Sequence, residues 1–507
     1  MPPHFPVESR CQLSILLDSI CFLNLTLFRV SLFNCKSSSS KKNMATTPAV
    51  PTQVELLQRW GGKDIADLPK PAAVIDRAIV RRHCERMKKT IRSLGVQFRA
   101  HVKTHKTLEI AKMQLDSEDQ SPKFIASTLL EIETLVRMLA GLKQAGRSPN
   151  ILYGIPLVPS HITRLADLAA EIGEGSISAM IDHPDQIQYL QEFSAKTNFP
   201  VCVFVKVDTG YHRAGLPPIS LNKNGLLEKL AEAEEAGHAK LLGLYSHSSL
   251  SYGAKNAEEA MEYLIGEIQG CKDALNRWLP LLPKDRELII SVGATPQAIS
   301  SHNLVQGSSS SEAEELRSLL RQPATEQSEA QVKIELHAGN YPILDMQQVS
   351  THARNGAGDL EEEIAMSVIA EVCSVYNDGE REKPEALVAA GTLALGREPC
   401  ASYTGWGVLS NWRQTGDAKS GASRLIVERI SQEHSIITWD KAAQSSIPLR
   451  VGQAVKVYPN HSCVTGAFYG FYFVIDSSTD EPCRVVDIWV RGRGGEVTDP
   501  LTMTRFQ

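Results

Sequence analysis

The sequence contains no Cys-x-x-Cys pair, and its ten cysteines are scattered from Cys11 to Cys483. Such scatter points to the reduced thiols of an intracellular protein and away from a disulfide framework. A basic excess is missing as well: 53 lysines and arginines face 58 aspartates and glutamates, for a formal net charge of −5. Without a general basic footprint, nucleic acid is not an expected partner. Long apolar runs are also wanting. Residues 11–33 are apolar and β-rich but are broken by Asp18, Asn24 and Arg29, so neither a membrane-spanning helix nor a membrane partner is expected.

Residues 1–43 stand apart from the rest, and three readings compete for them. The interior Asp18 and Arg29 disfavour a secretory signal, whereas Arg10, Arg29, Lys36, Lys41 and Lys42 allow a transit peptide. The third reading, an upstream extension with Met44 as the working start, is preferred. Under each, the segment is set aside from the fold. A cytoplasmic location is expected, with organelle targeting second.

What is present is regular. At 507 residues, 42% hydrophobic and 22% charged, the chain has the balance of an ordinary globular protein of two or three domains. Short apolar strands are expected at 96–102, 124–127, 151–154, 177–181, 201–207, 242–246, 288–292 and 333–336. Amphipathic helical stretches such as 129–142, 162–172, 226–236 and 257–275 separate them. Eight such units over about 250 residues predict a closed (β/α)8 barrel across 78–349. An open doubly wound sheet would show a glycine-rich dinucleotide turn after its first strand, and none is present. Residues 301–330, with Ser308-Ser-Ser-Ser311 and a mixed-charge run, read as a surface insertion. After Tyr341 the pattern changes to strands without helices, bounded by Gly, Pro, Asn and Asp. A second, mainly antiparallel β domain is expected over 350–507. Residues 44–77 are grouped with it, because Pro71-Ala-Ala-Val-Ile-Asp76 reads as a further strand of that domain.

The stretch Arg99-Ala-His-Val-Lys-Thr-His-Lys-Thr107 organises the chemistry. Residues 96–102 alternate apolar with polar side chains, the period of a half-buried strand, and the strand ends on Lys103. A lysine at the C-terminal end of a strand that feeds a helix sits at the mouth of an α/β scaffold. An amine there can form a Schiff base when burial or neighbouring cations lower its pKa. Taken alone, the cluster of Lys103, His105 and Lys106 reads first as a solvated basic turn.

The other strand ends decide between these readings. Val205-Lys-Val-Asp-Thr-Gly-Tyr-His-Arg-Ala-Gly215 closes the fifth strand with a polar loop in which Arg213 is a candidate positioned guanidinium, though Asp208-Thr-Gly is also simply a good turn. Tyr245 and His247, two apart on the sixth strand, share a face and could line a planar ligand or form a satisfied core pair. Ser291-Val-Gly-Ala-Thr-Pro296 and His337-Ala-Gly-Asn-Tyr341 end the seventh and eighth strands, the usual phosphate site of this barrel, where backbone N–H groups cradle a dianion. A lysine at the first strand facing a phosphate cup at the last two is the layout that pyridoxal phosphate needs. His461-Ser-Cys463, if extended, would present an imidazole and a thiolate on one face to an ion such as zinc. The alternative is an ordinary buried cysteine.

Arg99-Ala-His-Val-Lys-Thr-His-Lys, Val207-Asp-Thr-Gly-Tyr-His-Arg-Ala-Gly, the Tyr245/Tyr252 spacing, Gly293-Ala-Thr-Pro and Asn460-His-Ser-Cys together resemble the eukaryotic zinc- and pyridoxal-phosphate-dependent D-serine dehydratases. That family shares the alanine-racemase-like fold (fold type III of pyridoxal phosphate enzymes) with bacterial D-threonine aldolases, and the resemblance runs from about Leu57 onward. It implies a lyase that eliminates water from D-serine to give pyruvate and ammonia. It further implies Lys103 as the Schiff-base lysine and Cα base; Arg213, Tyr245, Tyr252, Thr295, Gly339 and Asn340 as cofactor-binding residues; and His461 and Cys463 as ligands of Zn2+. A homodimer is implied too, the β domain of one subunit approaching the barrel mouth of the other. The alternatives are retro-aldol cleavage of D-threonine or other D-3-hydroxy amino acids, where a carboxylate in place of Cys463 would suit a harder ion, and a non-catalytic pyridoxal phosphate carrier built on a lone barrel.

Overall fold

The computed structural model describes residues 51–283, 286–321, 332–413, 423–441 and 446–492. Residues 1–43 lie outside these. The first strand, β1 (Ala72–Asp76), ends on Asp76, whose carboxylate accepts from the Ala78 N–H at 3.0 Å and so caps the helix Arg77–Leu94. Gly95, at φ +67°, closes that helix in the left-handed conformation and returns the chain into the barrel.

Eight parallel strands then follow in order: β2 (Gln97–His101), β3 (Lys123–Ala126), β4 (Asn150–Pro156), β5 (Ile177–Ile181), β6 (Val201–Lys206), β7 (Ala239–Tyr245), β8 (Leu288–Val292) and β9 (Val332–Ala338). They close on themselves, with Phe98 of β2 opposite Leu336 of β9. The expected (β/α)8 barrel is therefore the fold. Outward-facing residues such as Ala100, Phe124, Tyr153 and Val203 form the main core under the helices.

The alternation along β2 has a different meaning from the one expected. Its polar side does not face water: Arg99 is 0% exposed and points into the barrel. There its Nε donates to Glu335 at 2.6 Å and its Nη1 to Asn150 Oδ1 at 2.7 Å, while Lys123 Nζ lies 3.1 Å from the same Glu335. Both faces of a parallel barrel are covered, so the polar stripe survives only because its charges pair with one another inside. Burial alone would raise the Glu335 carboxyl, but Arg99 and Lys123 outweigh it and hold the group down at about 2. A carboxylate depressed in the folded state contributes stability above its unfolded pKa of about 4.3, and that contribution is lost as the pH falls toward 2. Glu335→Gln should therefore cost about 3–5 kcal/mol at pH 7. Urea unfolding should show the gap to the parent protein narrowing on acidification below pH 4.

Residues 301–321 are not the surface insertion expected. The helix His302–Val305 buries Asn303 and Leu304, and the helix Ser311–Arg321 buries Ala313, Leu316 and Leu320 in the barrel core. The latter packs on the helix Ala257–Trp278. Ala313, Leu316 and Leu320 form a helical stripe that the flanking serines and charges obscured. Residues 322–331 lie outside the described residues.

Among the described residues the second sheet has nine strands. It comprises β10 (Met366–Tyr376), β11 (Glu385–Val388), β12 (Gly407–Leu409), β13 (Leu425–Ile430), β14 (Ser435–Trp439), β15 (Ala454–Pro459), β16 (Phe471–Ile475) and β17 (Asp487–Val490), together with β1. β1 lies between β10 and β16 and is parallel only to β16; all other pairings are antiparallel. β10 also pairs with β11, which curls the sheet. The strand β12 was not foreseen, since three residues carry no readable period. No described helix is long and apolar enough to cross a membrane.

Candidate active site

Lys103 stands half-buried in the turn directly after β2. The turn is rigid because both domains hold it. Arg491 Nε donates to the His105 carbonyl at 3.2 Å and the Gly492 N–H to the Lys106 carbonyl at 2.7 Å, both from just beyond β17. The basic cluster of the sequence is split apart here. Lys106 pairs with Glu131 at 2.8 Å. His105 is buried, which pushes it down to about 3; its Nδ1 accepts from the Thr107 N–H at 3.1 Å and its Nε2–H faces Gln114 Oε1 at 3.2 Å. Lys103 alone is left facing the mouth.

Three histidines from three strand ends surround it. His101 accepts from the Lys103 N–H at 3.3 Å, His247 Nδ1–H donates to the Gly293 carbonyl at 2.6 Å, and His337 Nδ1 lies 3.1 Å from Ser291 Oγ. Burial, reinforced by nearby cations including Lys103, holds all three well below the ordinary histidine range. They are neutral near pH 7. The His337 Nε2 is buried and meets no partner among the described residues.

Tyr245 lies flat against His337, ring centroids 4.4 Å apart and planes within 2°, forming a planar wall. Lys206 Nζ sits over the Tyr245 ring, 4.8 Å from its centroid, and burial lowers it to about 8. Arg213 is exposed and rests over the Tyr211 ring at 5.2 Å; its charge reaches Lys206, Tyr245 and Tyr252. Tyr252 is half-buried, and burial raises its phenol, with Cys463 and Asp345 close enough to add to the effect.

The two glycine turns pack closely against histidines of the site. A Cβ on Gly339 would stand 3.1 Å from the His101 Cβ, and one on Gly293, at φ +133°, would meet the His337 carbonyl at 2.7 Å. Thr295 Oγ1 accepts from the Asn340 N–H at 3.0 Å. Asn340 Nδ2 in turn donates to Asp345 at 2.6 Å, and Asn340 Oδ1 accepts from Ser462 Oγ at 3.1 Å. Asp345 also accepts the Ser462 N–H at 2.8 Å. The ends of β8 and β9 are thereby tied to the segment that carries His461 and Cys463.

That segment is not extended as expected. His461 keeps an extended backbone, but Cys463 lies in the first turn of the helix Ser462–Ala467, where unpaired N–H groups favour a thiolate. The two side chains still meet. Burial pulls His461 down, yet its hydrogen bond to Cys463 and the nearby Asp345 and Glu398 raise it to about 9. Burial alone would raise Cys463, but His461, Thr104 Oγ1 at 3.2 Å and Lys103 together lower it. The two side chains are thus coupled to each other and, through Thr104, to the Lys103 turn. Among the described residues no third His, Cys, Asp or Glu joins it as a metal cluster.

Sequence reasoning did not single out His101, His337, Lys206, Glu267 or Asp345 as functional. Glu267, from the helix Ala257–Trp278, accepts from the Ser248 and Gly293 N–H groups at 2.6 and 3.1 Å and so fixes two mouth loops. Its only sequence signal was an acid on a helix's apolar stripe.

Comparison with known proteins gives a consistent picture. The family model described as "Putative serine dehydratase domain" matches residues 365–475, and "Alanine racemase, N-terminal domain" matches residues 75–305. The D-serine dehydratase of Schizosaccharomyces pombe is 32% identical over 87% of this chain and 95% of its own. That of Saccharomyces cerevisiae is 27% identical over 86% and 98%. An alanine-racemase-like protein from Idiomarina loihiensis superposes with a TM-score of 0.63 at 25% identity, covering 85% of this chain and 99% of its own.

Proposed function

The chain belongs to the D-serine dehydratase family, and on that premise we propose that it eliminates water from D-serine, giving pyruvate and ammonia, with pyridoxal phosphate held on Lys103 and zinc on His461 and Cys463. The observation that carries this reading is the meeting of two elements about 360 residues apart in sequence, the Lys103 turn and the Cys463 helix, joined through Thr104 and Cys463 at 3.2 Å.

The residues present suit both groups. The flat Tyr245–His337 wall and the His337 Nε2, unpartnered among the described residues, suit a planar ring with a polar edge. Lys103, Arg213, Tyr245, Tyr252, Thr295, Gly339 and Asn340 would hold it. A neighbouring imidazole and thiolate form a borderline-soft donor pair that suits zinc and, as only two protein ligands, leaves positions open. When bound, the cofactor supplies an electron sink for charge developing at Cα, and the metal a Lewis acid at the substrate hydroxyl.

The remaining work falls to the chain. Lys103 Nζ takes the Cα proton as general base, and the neutral His101, His247 and His337 around it offer no carboxylate to hold that amine permanently paired. Thr104, by its contact with Cys463, fixes the distance between base and metal ligands. Resemblance to dimeric relatives extends the proposal to a homodimer.

Product analysis tests the reading. Purified protein given D-serine should release pyruvate and ammonia in equal amounts. Release of glycine and acetaldehyde from D-threonine, with no pyruvate from D-serine, would instead make it an aldolase.

A further inference from the structure

A cavity lies away from the Lys103 mouth, between the helix Arg77–Leu94, the helices that follow β8 and the segment 341–363. Its volume is about 180 Å³, comparable to an apolar cavity of about 150 Å³ that accepts benzene. None of the active-site residues named above lines it.

Its walls are of two kinds. Met87, Ala298, Ile299 and Val349 supply an apolar body, while Arg86, Arg354 and Glu363 supply the charges. The balance is cationic, two guanidinium groups against one carboxylate. Glu363 is moreover already engaged: Arg354 Nη2 at 2.5 Å and the Gly358 N–H at 3.1 Å hold one oxygen, and His83 Nε2 at 3.3 Å the other. Arg86 stands off at 3.7 Å, too far for a good hydrogen bond. Burial and the nearby Arg354 depress its guanidinium, an effect that Glu363 offsets only in part.

Two lining residues, Leu344 and His352, adopt left-handed backbone at φ +55° and +49°. Such strain in non-glycine residues persists where surroundings enforce it, and it clusters at ligand sites.

From these observations we propose that the cavity is a second binding site, taking a small monocarboxylate with a compact apolar body. The carboxylate pairs with the under-compensated Arg86 and the body fills the space beside Met87, Ala298 and Val349. The site is also mechanically joined to the active site. Gln348, on its wall, donates its N–H to Asp345 at 2.9 Å, and Asp345 holds Asn340 and Ser462. The proposal stands independently of the reaction assigned above.

Calorimetric titration of benzoate into the holoenzyme is the test, with far-UV circular dichroism confirming that each variant is folded. One saturable site per chain is expected. Loss of a charge-assisted contact in Arg86→Met should weaken it about tenfold or more. Val349→Phe, which fills the half-buried apolar side without touching a charge, should do likewise, so either variant suffices if the other fails to fold. Lys103→Ala should bind benzoate as the parent does, and neutral benzyl alcohol should bind far more weakly. Parent-like affinity in both cavity variants, or loss of binding in Lys103→Ala, would overturn the assignment. Equal binding of inorganic phosphate would overturn the apolar half of it.

Discussion

Lys103→Ala should abolish pyruvate formation from D-serine, by about 10⁴-fold or more, since one residue is asked both to hold the cofactor and to move the Cα proton. The fold should survive the change. Among the described residues the Lys103 side chain makes no ion pair, and it is half-buried in a turn fixed by Arg491 and Gly492, so a loss of no more than about 1 kcal/mol is expected. Borohydride reduction of the parent protein followed by peptide mass analysis should find the pyridoxyl group on residue 103. Lys206 is the physical competitor, because burial lowers it to about 8 and it lies against Tyr245. It is, however, sealed inside the barrel at 5% exposure. A label on Lys206, or turnover preserved in Lys103→Ala, would end the reading.

The second large effect is expected at Cys463. Cys463→Ala removes the thiol whose pKa His461 and Thr104 lower, and with it one of the two protein donors to the proposed ion. Losing Lewis-acid stabilisation of a departing hydroxyl is worth several kcal/mol, or about 10²–10³-fold in rate. Metal analysis should show about one zinc per chain in the parent and little in the variant. The absorbance of bound cofactor should be retained, because Cys463 is not among the residues proposed to hold it. Full activity in Cys463→Ala, or in the parent after exhaustive chelation, would remove zinc from the mechanism.

How much of this was legible beforehand differs from element to element. The barrel was, because eight short apolar strands interleaved with amphipathic helices carry two distinct periods that survive without a partner sequence. The sheet strands longer than three residues were legible for the same reason, and β12, at Gly407–Leu409, was not. The helix Ser311–Arg321 was misread because its buried stripe is only Ala313, Leu316 and Leu320 beside a serine run. The geometry at Cys463 was misread because a two-residue spacing implies a shared face only on a strand, and the chain turns into a helix at Ser462.

The sequence by itself determined the alternation of strand and helix, the lysine at the end of β2, the glycine turns after β8 and β9, and the His-x-Cys pair, since each is written in neighbouring residues. Tertiary structure alone decided which way the polar side of β2 faces, that Arg99 must pair with Glu335 inside the barrel, and that His101, His247 and His337 gather around Lys103. It also brought Cys463 to Thr104 and left Arg86 short of counter-charge. The physical reason is the same in every case: burial and charge compensation are set by residues more than a hundred positions apart, and only closing the barrel against the second sheet brings them within a few ångströms.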